Sequence, residues 1–128
     1  MAISKQTLRK AVAAIAAVPH VEMSPQRLAE DVLLLSYVFT QEDEYLVAVS
    51  NTCRALTQLV QDAVTPAPLD YAFAGWLSYH YQHRVGQGQR ADMRIVFMRT
   101  KDGIRVRAFG HRNLPHDFYE RLKEVSGS

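Results

Sequence analysis

Asp102-Gly103 stands between two β-rich runs within residues 93–111. An Asp-Gly pair in that setting is a strong short-range signal for a β-hairpin. With those two residues as the loop, Lys101 pairs with Ile104, and the register of both strands follows. One face then carries Ile95, Phe97, Val106 and Ala108, with Arg99 nearer the turn, and is the natural core side. The other carries Arg94, Val96, Met98, Arg105, Arg107, Phe109 and His111, a positive surface with apolar residues between its charges. A slip of one residue would exchange the faces, so this assignment rests on the turn.

Upstream the pattern is helical. Ser4 is placed to cap a helix from about Lys5 to Val18, in which Leu8, Val12, Ile15 and Val18 recur at helical spacing and Pro19 ends the run. Ser24-Pro25 is a second helix start, with serine as cap and proline in the first turn. Leu28, Val32, Leu35 and Phe39 continue its stripe. Because Leu33-Leu34-Leu35 is continuously apolar, Val32 to Phe39 also reads as a buried strand; periodicity favours helix. Thr40 is the expected cap of a third helix reaching about Val64. Glu42, Asp43 and Glu44 lie in its first turn, where the helix dipole favours anions, and are read as facing water. Tyr45, Val49, Thr52, Leu56, Leu59 and Val60 form its buried side, with Cys53 beside them as a small core residue.

Thr65-Pro66-Ala67-Pro68 divides a helical half, about 1–64, from a mixed half, about 69–125. Neither half is large enough to bury a core of its own, so residues 1–128 read as one domain. Residues 69–83 are aromatic-rich and read as a short helix or a strand. Gly86-Gln87-Gly88 marks a turn. Pro115 opens a final helix with Phe118, Leu122 and Val125 on one side. The expected fold is α+β: N-terminal helices packed on a small antiparallel sheet, with a C-terminal hairpin and a short terminal helix.

Charge is distributed unevenly. Residues 1–66 carry 5 Lys and Arg against 7 Asp and Glu, residues 67–128 carry 10 against 6, and residues 80–112 alone carry 8 against 2. Sign separation of this kind bears on partners rather than on fold. A single cysteine excludes an intrachain disulfide and suits a reducing, cytoplasmic setting. No apolar run approaches the ~18 residues of a membrane span. Residues 11–18 only weakly imitate a signal peptide.

The guanidinium forks of Arg94, Arg105 and Arg107, with His111, match phosphate oxygens. Phe109 and nearby tyrosines can stack on unpaired bases. The competing reading is a solvated sheet edge whose charges block aggregation. Other chemistry is thinner. His80-x-x-His83 offers two metal-ligand residues without a matching cysteine or carboxylate set. Gly86-x-Gly88 lacks the third glycine of a dinucleotide motif. No cofactor or metal is expected.

Arg90-Ala91-Asp92-Met93-Arg94-Ile95-Val96-Phe97, Phe109-Gly110-His111-Arg112 and Asp117-Phe118-Tyr119-Glu120-Arg121-Leu122 together resemble the C-terminal half of the RelE/ParE toxin superfamily. Family members usually start with a strand followed by a helical hairpin. The resemblance implies a small toxin with RNA or the ribosome as partner and an acidic antitoxin protein as a second. In ribosome-dependent members the toxin cleaves mRNA. Carried over by motif position, Arg94 and Arg112 would stabilise the phosphate and Tyr119 would move a proton or stack. His83 and Arg84 would match upstream basic residues, and His83 and His111 are the general-base candidates. Arg84, Arg90, Arg105, Arg107 and Phe109 would contact nucleic acid. The ParE branch instead targets gyrase without cleaving RNA. The alternative is a non-catalytic module using the basic hairpin to bind nucleic acid or an acidic protein.

Overall fold

The computed structural model describes residues 2–70 and 73–112. Its elements are α1 (Lys5–Ala16), β1 (Val21–Met23), α2 (Pro25–Val38), α3 (Glu42–Val60), β2 (Ala67–Pro68), β3 (Leu77–Tyr81), β4 (Met93–Arg99) and β5 (Ile104–His111). The five strands form one sheet in the order β1-β5-β4-β3-β2. This is an α+β fold whose three helices precede every strand but β1.

Local chemistry sets the first two helices. Ser4 Oγ accepts from Thr7 N at 3.1 Å, and Ser24 Oγ accepts from Arg27 N at 3.4 Å with Pro25 in the first turn. Each serine satisfies one of the amides a helix start leaves unpaired. Residues 32–38 belong to α2, so the helical reading of that stretch holds and the strand reading fails. The third helix is capped differently from expectation. Gln41, not Thr40, stands at its N-cap without a side-chain bond, and the helix ends at Val60 rather than Val64. Its three acidic residues complement the dipole instead, and Asp43 Oδ1 accepts from Glu44 N at 2.9 Å.

The sheet is mixed rather than wholly antiparallel. Val21–Met23, a stretch without strand signals in the sequence, runs parallel to β5, pairing Val21 with Ile104 and Met23 with Val106. At the opposite edge Ala67 and Pro68 pair with Ser78 and Leu77, an edge position where proline costs no ladder bond.

The hairpin forms where expected but with another register. Arg99 pairs with Ile104, so the loop is Thr100–Gly103, closed by Thr100 N donating to Gly103 O at 2.9 Å. Phe97 pairs with Val106 while Val96 pairs with Ala108, leaving Arg107 as the extra residue of a β-bulge. The bulge reverses the facing of everything beyond it on β5. Phe109 and His111 therefore turn to the helical side and Ala108 to the outer side, opposite to the expected faces.

The core lies between the helices and the inner sheet face. Tyr45, Leu35, Leu56, Leu59 and Ile15 meet Met93, Ile95, Phe97, Ile104 and Phe109, all fully buried. Each such side chain contributes about 1.5–3 kcal/mol by leaving water. Tyr45 Oη donates to Val32 O at 2.9 Å, and the Tyr81 and Thr52 hydroxyls meet at 2.7 Å. Burial pushes both phenols well above their ordinary pKa. A smaller cluster of Phe73, Val96 and Ala108, with Leu69 and Trp76 against it, covers part of the outer sheet face. The expected terminal helix from Pro115 lies outside the described residues.

Candidate functional site

Strand alternation sends β3 and β4 side chains to two faces. Leu77, Tyr79 and Tyr81 face the helices, which leaves Ser78 and His80 outside. Met93, Ile95 and Phe97 do the same on β4, which leaves Arg94, Val96 and Met98 outside.

His80 stands directly opposite Arg94, and Arg94 stands opposite Gly110 on its other flank. Gly110 carries no side chain, so the guanidinium has room to lie across β5. Arg94 Nη2 donates to Arg112 O at 2.9 Å, and Arg112 Nη1 donates to Ala91 O at 3.4 Å. Two arginines thus meet at one end of the outer face, beside an imidazole. Burial lowers the His80 pKa from 6.5, and the charges of Arg94 and Arg112 lower it further. Both effects favour the uncharged ring. Its Nε2 lies 3.4 Å from Ser78 Oγ.

Further along this face Arg107 sits 4.9 Å from the Trp76 ring centroid and 5.3 Å from that of Phe73. The two rings hold a desolvated guanidinium by cation–π attraction. Arg105 is exposed and pairs with Glu22 at 3.3 Å. Arg90 is exposed in the approach to β4. Arg94, Arg105 and Arg107 thus share the outer face, spread along its length, with Arg105 tied to Glu22.

His83, Arg84, His111 and Phe109 are not on it. Phe109 is buried in the core. His83 is gripped from both sides, with Nδ1 2.5 Å from Asp92 Oδ2 and Nε2 2.5 Å from Glu44 Oε1, and its ring packs 4.4 Å from that of Phe39. A ring held at both nitrogens has neither free to take a substrate proton, which argues against His83 as base. Arg84 Nη2 donates to Glu44 Oε2 at 2.8 Å. Glu44 therefore does not simply face water. The Arg84 and His83 hydrogen bonds draw its pKa down from 4.5 to about 2.

His111 lies near the same cluster, 3.9 Å from Asp92 Oδ2 and edge-on to Phe39. Burial lowers its pKa, partly opposed by Asp92. Asp92 O accepts from Arg112 N at 2.9 Å, so this cluster and the outer arginines share one end of the sheet. Tyr119 lies outside the described residues. Among the described residues no group of three His, Cys, Asp or Glu side chains is arranged to hold a metal ion. No described helix is long and apolar enough to cross a membrane.

Two features of this region were not placed from the sequence, where His80 figured only with His83 as a thin metal-ligand pair. His80 was legible in principle, because alternation with Tyr79 and Tyr81 puts it on the opposite face from them. The second is a cavity of about 390 Å³ between α3 and the edge of β3, lined by Asn51, Arg54, Gln58, Tyr79 and His80 among others. Its signal is a polar row on α3, at spacings of three and four residues, opposite the core stripe. Comparison with family models, curated proteins and solved structures finds no match to this chain.

Proposed function

We propose that the protein is an intracellular RNA-cleaving toxin of the RelE/ParE type that works with the outer face of its sheet. The observation that carries this reading is an imidazole and two guanidinium groups at one end of a single sheet face, His80 directly opposite Arg94 and Arg94 bonded to Arg112 O. From residue 21 onward the chain also runs strand, helical hairpin, then an antiparallel strand set, which is the order the resemblance implies.

The chemistry needs a base for a 2′-hydroxyl, positive charge at phosphorus and a proton for the leaving oxygen. His80 Nε2 takes the 2′-OH proton as O2′ attacks phosphorus. The O2′–P bond forms and the P–O5′ bond breaks, which gives a 2′,3′-cyclic phosphate and a 5′-hydroxyl. Arg94 and Arg112 stabilise the charge on the non-bridging oxygens. The O5′ leaving group takes a proton, a role the resemblance gives to Tyr119. Arg105 and Arg107 hold flanking phosphates.

The test is growth arrest on expression, followed by primer extension on ribosome-bound mRNA with purified protein. Wild type should arrest growth and cut. His80→Gln should lose about 10²–10⁴-fold in cleavage rate, as removal of a general base does. Arg94→Ala should lose about 10²–10³-fold through lost charge stabilisation. Harmless expression with intact mRNA would overturn the reading. Salt-sensitive RNA binding without cleavage would leave the binding-only alternative standing.

A further inference from the structure

The cavity beside His80 has a chemistry of its own. One wall is the polar face of α3, where Asn51, Arg54 and Gln58 are spaced to share a side. The floor is the edge of β3, which β2 covers only at Leu77 and Ser78. Tyr79 lies there with its ring parallel to that of Tyr81, the planes 8° apart and the centroids separated by 6.2 Å. The rim is the loop after β3, held shut by one side chain. Gln82 Nε2 donates to Gly86 O at 3.1 Å and to Gln89 O at 2.6 Å, and its Oε1 accepts from Gly86 N at 3.0 Å. Val85, 72% exposed, offers an apolar contact at the opening.

The groups in this cavity divide into two kinds. Asn51 Nδ2 is committed to His83 O at 2.7 Å, and Gln82 is committed to its loop. Among the described residues, the side chains of Arg54, Gln58 and Tyr79 make no hydrogen bond or ion pair. A guanidinium, an amide and a phenol ring are thus left facing a space of about 390 Å³, within the roughly 300–1,000 Å³ of small-ligand sites. Planar aromatic surface with an unsatisfied fork of donors is what an unstacked base of single-stranded RNA requires.

The geometry points to this cavity as the site of a guanine base, belonging to the nucleotide next to the phosphate at His80, Arg94 and Arg112. The inference rests on the RNA reading above, because His80 lines both sites. Guanine presents two acceptors, O6 and N7, to which an arginine fork bonds bidentately. Adenine puts an N6 donor where O6 would be and meets the fork with repulsion. Pyrimidines lack the N7 acceptor and reach less of the tyrosine ring. Gln58, one helical turn on from Arg54, supplies a further donor and acceptor.

The test uses short single-stranded oligonucleotides with 2′-O-methyl groups, which cannot be cleaved, differing only in one central base. Binding is read by fluorescence anisotropy with wild type, Arg54→Ala, Gln58→Ala and Arg94→Ala. Wild type should bind the guanine oligonucleotide about ten- to a hundredfold tighter than the adenine, cytosine or uracil ones. Arg54→Ala should remove that preference, so that the guanine oligonucleotide binds no tighter than the uracil one to the same variant. Arg54 is exposed and makes no hydrogen bond or ion pair among the described residues, so the variant should melt at the wild-type temperature. Equal binding of all four bases by wild type, or a preference that survives Arg54→Ala, overturns the guanine site while RNA binding stands. Failure of every oligonucleotide to bind, with no change in Arg94→Ala, overturns the RNA reading itself.

Discussion

Asp31 Oδ2 accepts the backbone amide of Phe109 at 3.0 Å, a hydrogen bond between the middle of α2 and the edge of β5. It lies where β1 has ended. β1 pairs with β5 only as far as Val106, so the Phe109 amide has no strand beside it. Asp31 is 1% exposed and supplies the acceptor that a fourth residue of β1 would have given. A buried amide left without a partner costs about 1–3 kcal/mol. Asp31→Ala should therefore lower stability by about that amount, read as a fall in the urea midpoint at constant slope. Asp31→Asn keeps an acceptor and should recover part of the loss. Equal destabilisation by both would show that charge, not acceptance, is what Phe109 needs.

Gly103 is required for closeness rather than for an unusual backbone angle. Positive φ among the described glycines occurs at Gly75 and Gly88, not at Gly103. A Cβ at Gly103 would overlap the carbonyl oxygen of His20, the same oxygen that accepts from Ile104 N at 3.0 Å. His20 itself has φ 65°, which fixes the path into β1. Gly103→Ala must push the hairpin turn away from β1, and overpacking of this kind costs about 1–3 kcal/mol. Thermal melting should show the loss. Gly88→Ala in the exposed loop has open space around it and should lose less, chiefly from its φ of +76°. A larger loss at Gly88 than at Gly103 would sink this account.

These two contacts also mark where sequence reasoning stopped. The caps at Ser4 and Ser24-Pro25 and the stripes of Leu28, Val32, Leu35 and of Tyr45, Val49, Leu56 are local, so the helices could be read directly. The existence of the hairpin was equally local. Its register was not. It depends on His20 pressing on Gly103 and on a bulge at Arg107, and neither leaves a pattern in the neighbouring residues. β1 is three residues long and finds its partner about eighty residues later, so no periodicity announces it. The error in register then carried Phe109 and His111 to the wrong face, while Arg94, Arg105 and Arg107 kept theirs. Glu44 was read as solvated because nothing local reveals that His83 and Arg84 close on it.

Stability should respond to acid in two steps. Burial disfavours the charged rings of His80 and His111, so their folded pKa values lie below the ordinary 6.5. The unfolded chain binds those protons first, and stability therefore falls as pH drops below about 6.5. Glu44 acts in a lower window. Its carboxylate is favoured in the folded state by Arg84 and His83, with a pKa of about 2 against 4.5. That contribution is fully present above pH 4.5 and is lost as pH falls toward 2. Urea midpoints at pH 7, 5.5, 4.5 and 3 separate the windows. Glu44→Gln should keep the first decline and flatten the second. An unchanged decline below pH 4.5 in this variant would exclude Glu44 as its source.

Arg107 and Arg94 share a face but differ in setting, and salt dependence should tell them apart from a general loss of fold. Arg94 lies with Arg112 and His80, where the proposed function would put the reacting phosphate, and Arg107 rests on Trp76 and Phe73. Each arginine that neutralises one phosphate of single-stranded RNA releases condensed counterions. The slope of log K against log salt then becomes shallower by about 0.7 when that arginine is removed. Arg94→Ala and Arg107→Ala should each reduce the slope by about that amount, and the double variant by about twice as much. Arg84→Ala, at the Glu44 pair on the helical side, should leave the slope unchanged. The Trp76→Ala variant keeps the Arg107 charge but removes its support, so it should weaken binding at every salt concentration without altering the slope. Parallel slopes for wild type and the Arg94→Ala, Arg107→Ala double variant would mean that the outer sheet face does not meet the RNA backbone.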